Sequence, residues 1–258
     1  MDWSAPAYVL SFRAFGERDA VVSVMTQEHG RFAGLVRGGQ SQRNSTHWQP
    51  GHLVNATWRA RLSEHLGSFT GEAIKNNSAN LLHSPLGLAT LLSTCALVDL
   101  TTPERMPLTG LFQSIADLLP LDEGADDLAR YVRFENEVLC ALGYGLDFSC
   151  CAITGTRDDL TYVSPKTGRA VNRTAAAPWA DKLLPLPDFM HKAHIFYAIP
   201  SWDDVAAGLA LTGHFIERHV FHHLPNFALT QLTAKRERVL DLVDKQRMVA
   251  PEPLLSVS

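Results

Sequence analysis

The chain has 258 residues, 46% of them hydrophobic, enough to bury a sizeable core in two modest domains. Its formal net charge of -4 sets aside a globally basic nucleic-acid coat, so any contact with nucleic acid has to be local. No stretch approaches about 18 uninterrupted apolar residues, and MDWSAPAYVL has neither a basic start nor an apolar run with a cleavage site, which predicts a cytoplasmic protein with no membrane partner.

From Ala7 to Lys75 the hydrophobic period is two. AYVLSFRAF, AVVSVMTQ, RFAGLVR, HLVNATWRARL and GSFTGEAI read as five short strands, with EHG and QPG as turns between some of them. Five such strands in residues 1–77 predict a small antiparallel barrel. In the fourth, Val54, Ala56, Trp58, Ala60 and Leu62 alternate with Asn55, Thr57, Arg59 and Arg61, so one face is core and the other polar and basic. The connection from Gly38 to Pro50 is long for a hairpin, and its Gly38-Gly39 pair lets the backbone approach a ligand closely.

After Asn77 the period changes to about 3.6, and residues 78–258 predict a mainly helical domain. Ser84 and Pro85 supply a cap and a first helical residue, and LGLATLLSTCALVDL follows until TTP stops it. A second helix is predicted over LTGLFQSIADLLP, and a third from about Asp126 to a C-terminal cap at Gly143. LTYVSPKTGRAVN, Leu160 to Asn172, reads as a β-hairpin insertion near residues 151–173. Two more helices are predicted from about Asp203 to Arg247, separated near Leu224-Pro225. The fold class is α+β.

Charge follows the same division. Between Arg31 and Ser63 there are five arginines and no Asp or Glu, whereas Asn76 to Cys150 carries ten acids against three arginines. A face with Arg59 and Arg61, beside a strand with Arg31 and Arg37 and a loop with Arg43, His47 and Trp48, offers what single-stranded nucleic acid requires: cations to track phosphates and planar groups to stack on bases. The competing reading is a solvated polar face with Trp48 tucked under its own loop. A solvated face normally mixes both signs, and this one does not.

Other candidates are weaker. His219, His222 and His223 could share a helix face, but there is no HExxH pattern and no carboxylate between paired histidines, so no metal is expected. The adjacent Cys150 and Cys151 lack the spacer that lets two thiolates reach one zinc. G-x-S-x-G and G-x-x-x-x-G-K-[ST] are both absent, so neither a nucleophile elbow nor a P-loop is read; no catalytic residue and no cofactor are expected. Lys235-Arg236-Glu237-Arg238 reads either as further nucleic-acid contacts or as a solvated helix face.

FGERDAVVSVMTQEHGRFAGLVRGG, then QPGHLVNATWRARL, then RFENEVLCALGYGLDFSCCAITG, in that order, resemble the RecO family of bacterial DNA repair and recombination proteins over essentially the whole chain, and VSPKTGRAV resembles its alphaproteobacterial members. The resemblance implies an N-terminal OB-fold joined to the helical domain. It also implies a non-catalytic mediator that binds single- and double-stranded DNA, anneals complementary strands and helps load RecA onto DNA coated with single-stranded-DNA-binding protein. Such a protein would act with RecR in the RecF pathway, in the cytoplasm at the nucleoid. Some family members carry a zinc ribbon at the hairpin; here Thr154 stands where its second cysteine is expected and GRAVNR has none, which implies a degenerate ribbon held by packing of Leu160, Tyr162 and Val171. The family's helical domain contacts the acidic, hydrophobic tail of single-stranded-DNA-binding protein. In this chain that implies Arg130 and Arg133 for the carboxylates and Leu139 and Leu142 for apolar contact, unless the arginines pair within their own helix. The alternatives are an OB-fold RNA-binding protein or a metal-dependent hydrolase using His219 and His223.

Overall fold

The computed structural model describes residues 1–249 apart from 63, 82, 109, 120, 122, 123 and 192–198, and leaves out the side chains of Arg43 and Asn80. Strand β1 (Asp2–Phe15) pairs through its second half with β2 (Asp19–Thr26) and through its first half with β4 (Leu53–Arg59), shifting register between Val9 and Ser11. β3 (Gly30–Val36) lies beside β2, and β5 (Ser68–Lys75) beside β4. The parallel pairing of Leu35 with Ser68 closes the sheet in the order β1-β2-β3-β5-β4, a five-stranded barrel consistent with an OB-fold. Val9, Val22, Val24, Val54, Ala56, Trp58 and Phe69 fill the interior.

β1 begins five residues before the predicted strand. Ser4 and Pro6 hide this in the sequence; they are held there because Trp3 pairs with Trp58 and the terminal amine donates to the Ala60 carbonyl at 2.9 Å. The long connection contains a six-residue helix, α1 (Gln42–His47), which periodicity alone does not reveal; the Ser41 side chain accepts from the Asn44 N–H and caps it.

α2 (Pro85–Thr101) starts where predicted: Ser84 Oγ accepts from Gly87 N–H at 2.9 Å, with Pro85 at the first helical position. It packs against β1 and against the helices at Ala125–Ala141 and Asn226–Val249, and is buried on nearly all sides, which is why it reads as apolar without an amphipathic stripe. α3 (Leu111–Leu118) lies within the predicted second helix, of which Thr109 and Pro120 are outside the described residues. α4 (Ala125–Ala141) ends at Gly143, whose φ of +88° is the left-handed conformation that glycine adopts without a Cβ penalty.

The insertion is a three-stranded sheet in the order β7-β6-β8, from β6 (Leu160–Val163), β7 (Ala170–Asn172) and β8 (Leu184–Pro185), so the predicted hairpin gains a short third strand. A four-residue helix, α5 (Arg173–Ala176), follows β7. α6 (Trp202–His219) and α7 (Asn226–Val249) complete the domain. Tyr8, Leu10 and Met25, on the outside of the barrel, belong to the same hydrophobic cluster as the helices, so the two parts share one core.

Candidate nucleic-acid interface

Successive residues of a strand face opposite ways, so the buried Trp58 and Val36 force Arg59 and Arg37 outward. Arg59 ends β4 and is 72% exposed; its distance of 3.9 Å to an equally exposed Asp2 is a loose ion pair, worth little in solvent. Arg61, just beyond, is exposed, and together with Met1, Asp2, Arg59 and Ala60 it lines a shallow depression. Arg37 is exposed at the end of β3, where the chain turns through Gly38 at φ +59°. This turn is pinned: Asp19 Oδ1 accepts from Gly38 N–H at 2.8 Å, and the Gln40 side chain donates to the Gly16 and Asp19 carbonyls. His47, half-buried, is in the last turn of α1. Arg43 is on the same helix, with its side chain outside the described residues.

Two expected members do not belong to this face. Trp48 is 2% exposed and packs against Phe69, with ring centroids 5.8 Å apart, in the barrel core. Its indole plugs the barrel beneath α1 and offers no face to a base. Arg31 has the outward phase, yet its side chain is only 16% exposed because the chain after α2 lies over it. Its guanidinium is 3.3 Å from Glu104, 3.6 Å from the buried Asp99, and donates to the Thr102 carbonyl at 2.9 Å. It is a fastener between barrel and helices. Arg105, which no sequence pattern singled out, serves the same junction: its guanidinium lies over Phe32 and Trp58, at 5.2 and 5.7 Å from the ring centroids, and it donates to the His65 carbonyl. It sits in a turn at φ +60°, where neither period applies.

The expected tail-contact residues differ in burial. Leu139 is fully buried, because it faces the helical core, and is unavailable to a partner. Leu142 is half-buried and packs against that core. Arg130 reaches the Asp127 carboxylate and the Asp117 carbonyl. Arg133 donates to the Phe189 carbonyl at 2.8 Å, and burial lowers its pKa.

The cationic run on α7 is divided as well: Arg236 is buried, held by Glu135, while Lys235, Glu237 and Arg238 are partly or fully exposed. The histidines do not share a helix face. α6 ends at His219 and a 3₁₀ turn, Phe221–His223, carries the others. The His219 ring stacks between Tyr144, 4.7 Å away, and Phe215, 6.1 Å away; burial and the neighbouring Arg218 and His214 hold its pKa below the ordinary value.

A zinc ribbon does not fit the insertion. Cys151 Sγ accepts from Asn172 N–H at 3.3 Å, and the Asn172 side-chain amide donates to the hydroxyls of Thr154 and Thr156 at 3.3 and 3.0 Å. Burial pushes the Cys151 thiol up, but hydrogen bonds from the Thr154 hydroxyl and the N–H groups of Asn172, Thr154 and Ile153 outweigh it and bring the thiol to about 7. Hydroxyls and an amide stand where thiolate ligands are needed. Among the described residues no three His, Cys, Asp or Glu side chains are grouped to hold a metal, and no helix is long and apolar enough to cross a membrane. Leu160 and Val171 are buried, with Tyr162 packed beside the core.

Residues 1–77 match the family model described as "Recombination protein O N terminal", and residues 82–226 that described as "Recombination protein O C terminal". The chain belongs to the RecO family. Similarity to curated members runs almost end to end: it is 41% identical to the "DNA repair protein RecO" of Gluconacetobacter diazotrophicus, over 98% of this chain and 99% of that one. It is 46% identical to the protein of the same name from Acidiphilium cryptum, over 87% and 91%, and 46% identical to that from Chelativorans, over 86% and 88%. Membership of the RecO family assigns the chain a role in DNA repair and recombination.

Proposed function

We propose that the protein is a non-catalytic recombination mediator whose barrel binds single- and double-stranded DNA through Arg37, Arg59 and Arg61, with Arg43 and His47 on α1 beside them. The observation that carries this reading is the set of exposed arginines on the outside of a closed barrel, in a stretch of sequence without acids, in a RecO family chain. Arginines that hold each strand by its phosphates leave the bases available, and two strands so neutralised pair with less repulsion. Annealing by this route requires no nucleotide hydrolysis.

The family resemblance extends the proposal to partners: RecR, the C-terminal tail of single-stranded-DNA-binding protein and, indirectly, RecA, within the RecF pathway and at the bacterial nucleoid. For the tail, Arg130, Arg133 and Leu142 remain the proposed contacts; Arg133→Ala weakens binding of a tail peptide if they serve, and leaves its affinity unchanged if they do not.

The deciding experiment is single-stranded DNA binding as a function of salt, comparing wild type with a variant carrying Arg37, Arg43, Arg59 and Arg61 all changed to Ala. Four phosphate contacts contribute about -2.8 to the slope of log K against log salt, at roughly 0.7 each. Loss of most of that slope in a folded variant supports the reading; an unchanged slope moves the DNA site off the barrel. Preference for RNA of the same sequence, with no strand annealing, favours an RNA-binding protein instead.

A further inference from the structure

Residues that pair across adjacent strands lie on the same face of a sheet, and the pairings of this barrel join one continuous row. Arg13 pairs with Val21, Val21 with Leu35, Leu35 with Ser68, and Ser68 with Arg59. Val21, Leu35, Ser68 and Arg59 each stand next to a buried residue, Val22, Val36, Phe69 and Trp58, and Arg13 follows Phe12, which packs against the barrel core, so the whole row points out of the barrel. Its two ends, Arg13 and Arg59, are exposed, and the three residues between them are half-buried. Because these five strands close on themselves, the row runs round the outside of the barrel. The helical domain covers the lower part of β3 through Arg31 and leaves Leu35 and Arg37 uncovered.

Phe15 lies two residues beyond Arg13 on the same face and is 59% exposed. Its partner across the strands is Asp19, whose carboxylate accepts the Gly38 N–H next to Arg37. The exposed aromatic ring therefore stands on a paired strand, with Arg13 behind it and Arg37 across the β1–β2 corner. An exposed ring with a guanidinium group on either side, and with the Asp19 carboxylate between it and Arg37 bound to the Gly38 N–H, suits a polymer of alternating anions and planar rings. It suits a purely apolar protein surface poorly, because the cations would be desolvated there without partners.

We infer that Phe15 is the base-stacking platform of the barrel, and that a single strand of DNA wraps the outside of the barrel along the row from Arg13 towards Arg59, with its phosphates on those arginines and on Arg37. This rests on the reading of the barrel as the DNA-binding surface. It also assigns to Phe15 the role that the buried Trp48 cannot fill. The alternation in AYVLSFRAF contains the signal, since Arg13 and Phe15 fall on the phase opposite to Phe12, but exposure at the end of β1 becomes visible only once the barrel closes.

The test is binding of an oligo(dT) strand carrying one 2-aminopurine to wild type, Phe15→Leu, Phe15→Trp, Arg13→Ala and the Arg37, Arg59 and Arg61 alanine variants, all in the full chain. Phe15→Leu keeps an apolar side chain at an exposed position and removes the π face. It is expected to bind about ten-fold more weakly, with the salt slope unchanged and the 2-aminopurine emission less quenched, while Phe15→Trp restores both. Arg13→Ala is expected to reduce the salt slope by about 0.7. If Phe15→Leu binds as tightly as wild type while the arginine variants bind weakly, the stacking assignment is overturned and the barrel remains the DNA surface. If the arginine variants also bind like wild type, the underlying reading falls with it.

Discussion

Glu135 on α4 and Arg236 on α7 form the principal buried charge pair of the helical core. Arg236 Nε is 2.8 Å from Glu135 Oε1 and Nη2 is 3.1 Å from Oε2, while Thr212 on α6 donates to the same carboxylate. Burial opposes the charge on Arg236, but Glu135 outweighs it and raises the pKa of the guanidinium. Glu135→Ala leaves that cation buried without a counter-charge and is expected to cost about 3–5 kcal/mol, read as a fall in the denaturant midpoint. A Glu135→Leu, Arg236→Met double variant should recover much of the loss, and a double variant no more stable than the single would show that the pair is not the origin of the cost. A second residue reports on pH. His52 is 2% exposed, its Nε2 lies 2.8 Å from Ser78 Oγ, and burial holds its pKa below the ordinary value of about 6.5. A histidine with a depressed folded pKa binds protons less readily than in the unfolded chain. Its contribution is therefore complete above about 6.5 and is lost as pH falls through the folded value. Thermal stability should decline on acidification below about pH 6.5, and the decline should be shallower in His52→Gln.

At the scale of elements, the most demanding contact is where the start of β3 meets the chain that follows α2. A Cβ at Gly30 would lie 2.1 Å from the Met106 carbonyl oxygen, and Gly30 has φ +69°. Gly30→Ala therefore meets both a backbone clash and a disfavoured conformation. It should destabilise the fold by more than the 1 kcal/mol or so expected of an ordinary glycine substitution; equal stability would mean the two segments separate at no cost. The insertion makes a contrasting prediction. Its Cys151 turn is tied by Asn172 to Thr154 and Thr156, so Asn172→Ala should lower the melting temperature, whereas a chelator should leave that of the wild type unchanged. Stoichiometric zinc in chelator-washed protein would contradict this account of the turn. Most elements are legible in the sequence. The two periods separated strands from helices, and Ser84, Pro85 and Gly143 marked ends that the structure reproduces, because caps and turns depend on neighbours in sequence. The first residues of β1, the short α1 and the two-residue β8 were not legible, since their formation depends on the strand or core each one meets.

For the whole molecule the decisive feature is the junction. Tyr8, Leu10 and Met25 place the barrel against the helices, and Arg31 and Arg105 fasten its edge, so a charge expected to meet DNA is used to join the two parts. Arg31→Ala leaves the buried Asp99 without its nearby cation and is expected to cost about 1–3 kcal/mol, while the salt dependence of DNA binding stays as in wild type. A reduced slope would return Arg31 to the DNA-binding set.

The order of strands and helices, the concentration of arginines around the third and fourth strands, and the RecO family resemblance follow from the sequence alone, because periodicity, capping and motif order are local. Which of those arginines face solvent is decided by tertiary structure. Arg31 lies in β3 and Arg37 directly follows it in the same phase, but the chain after α2 covers one and leaves the other exposed. Trp48 loses its expected role for the same reason: barrel closure turns the tryptophan after α1 into the core, while Phe15 at the end of β1 stays outside. Composition specifies how many cations and rings a surface can present; packing between distant segments determines which of them remain on it.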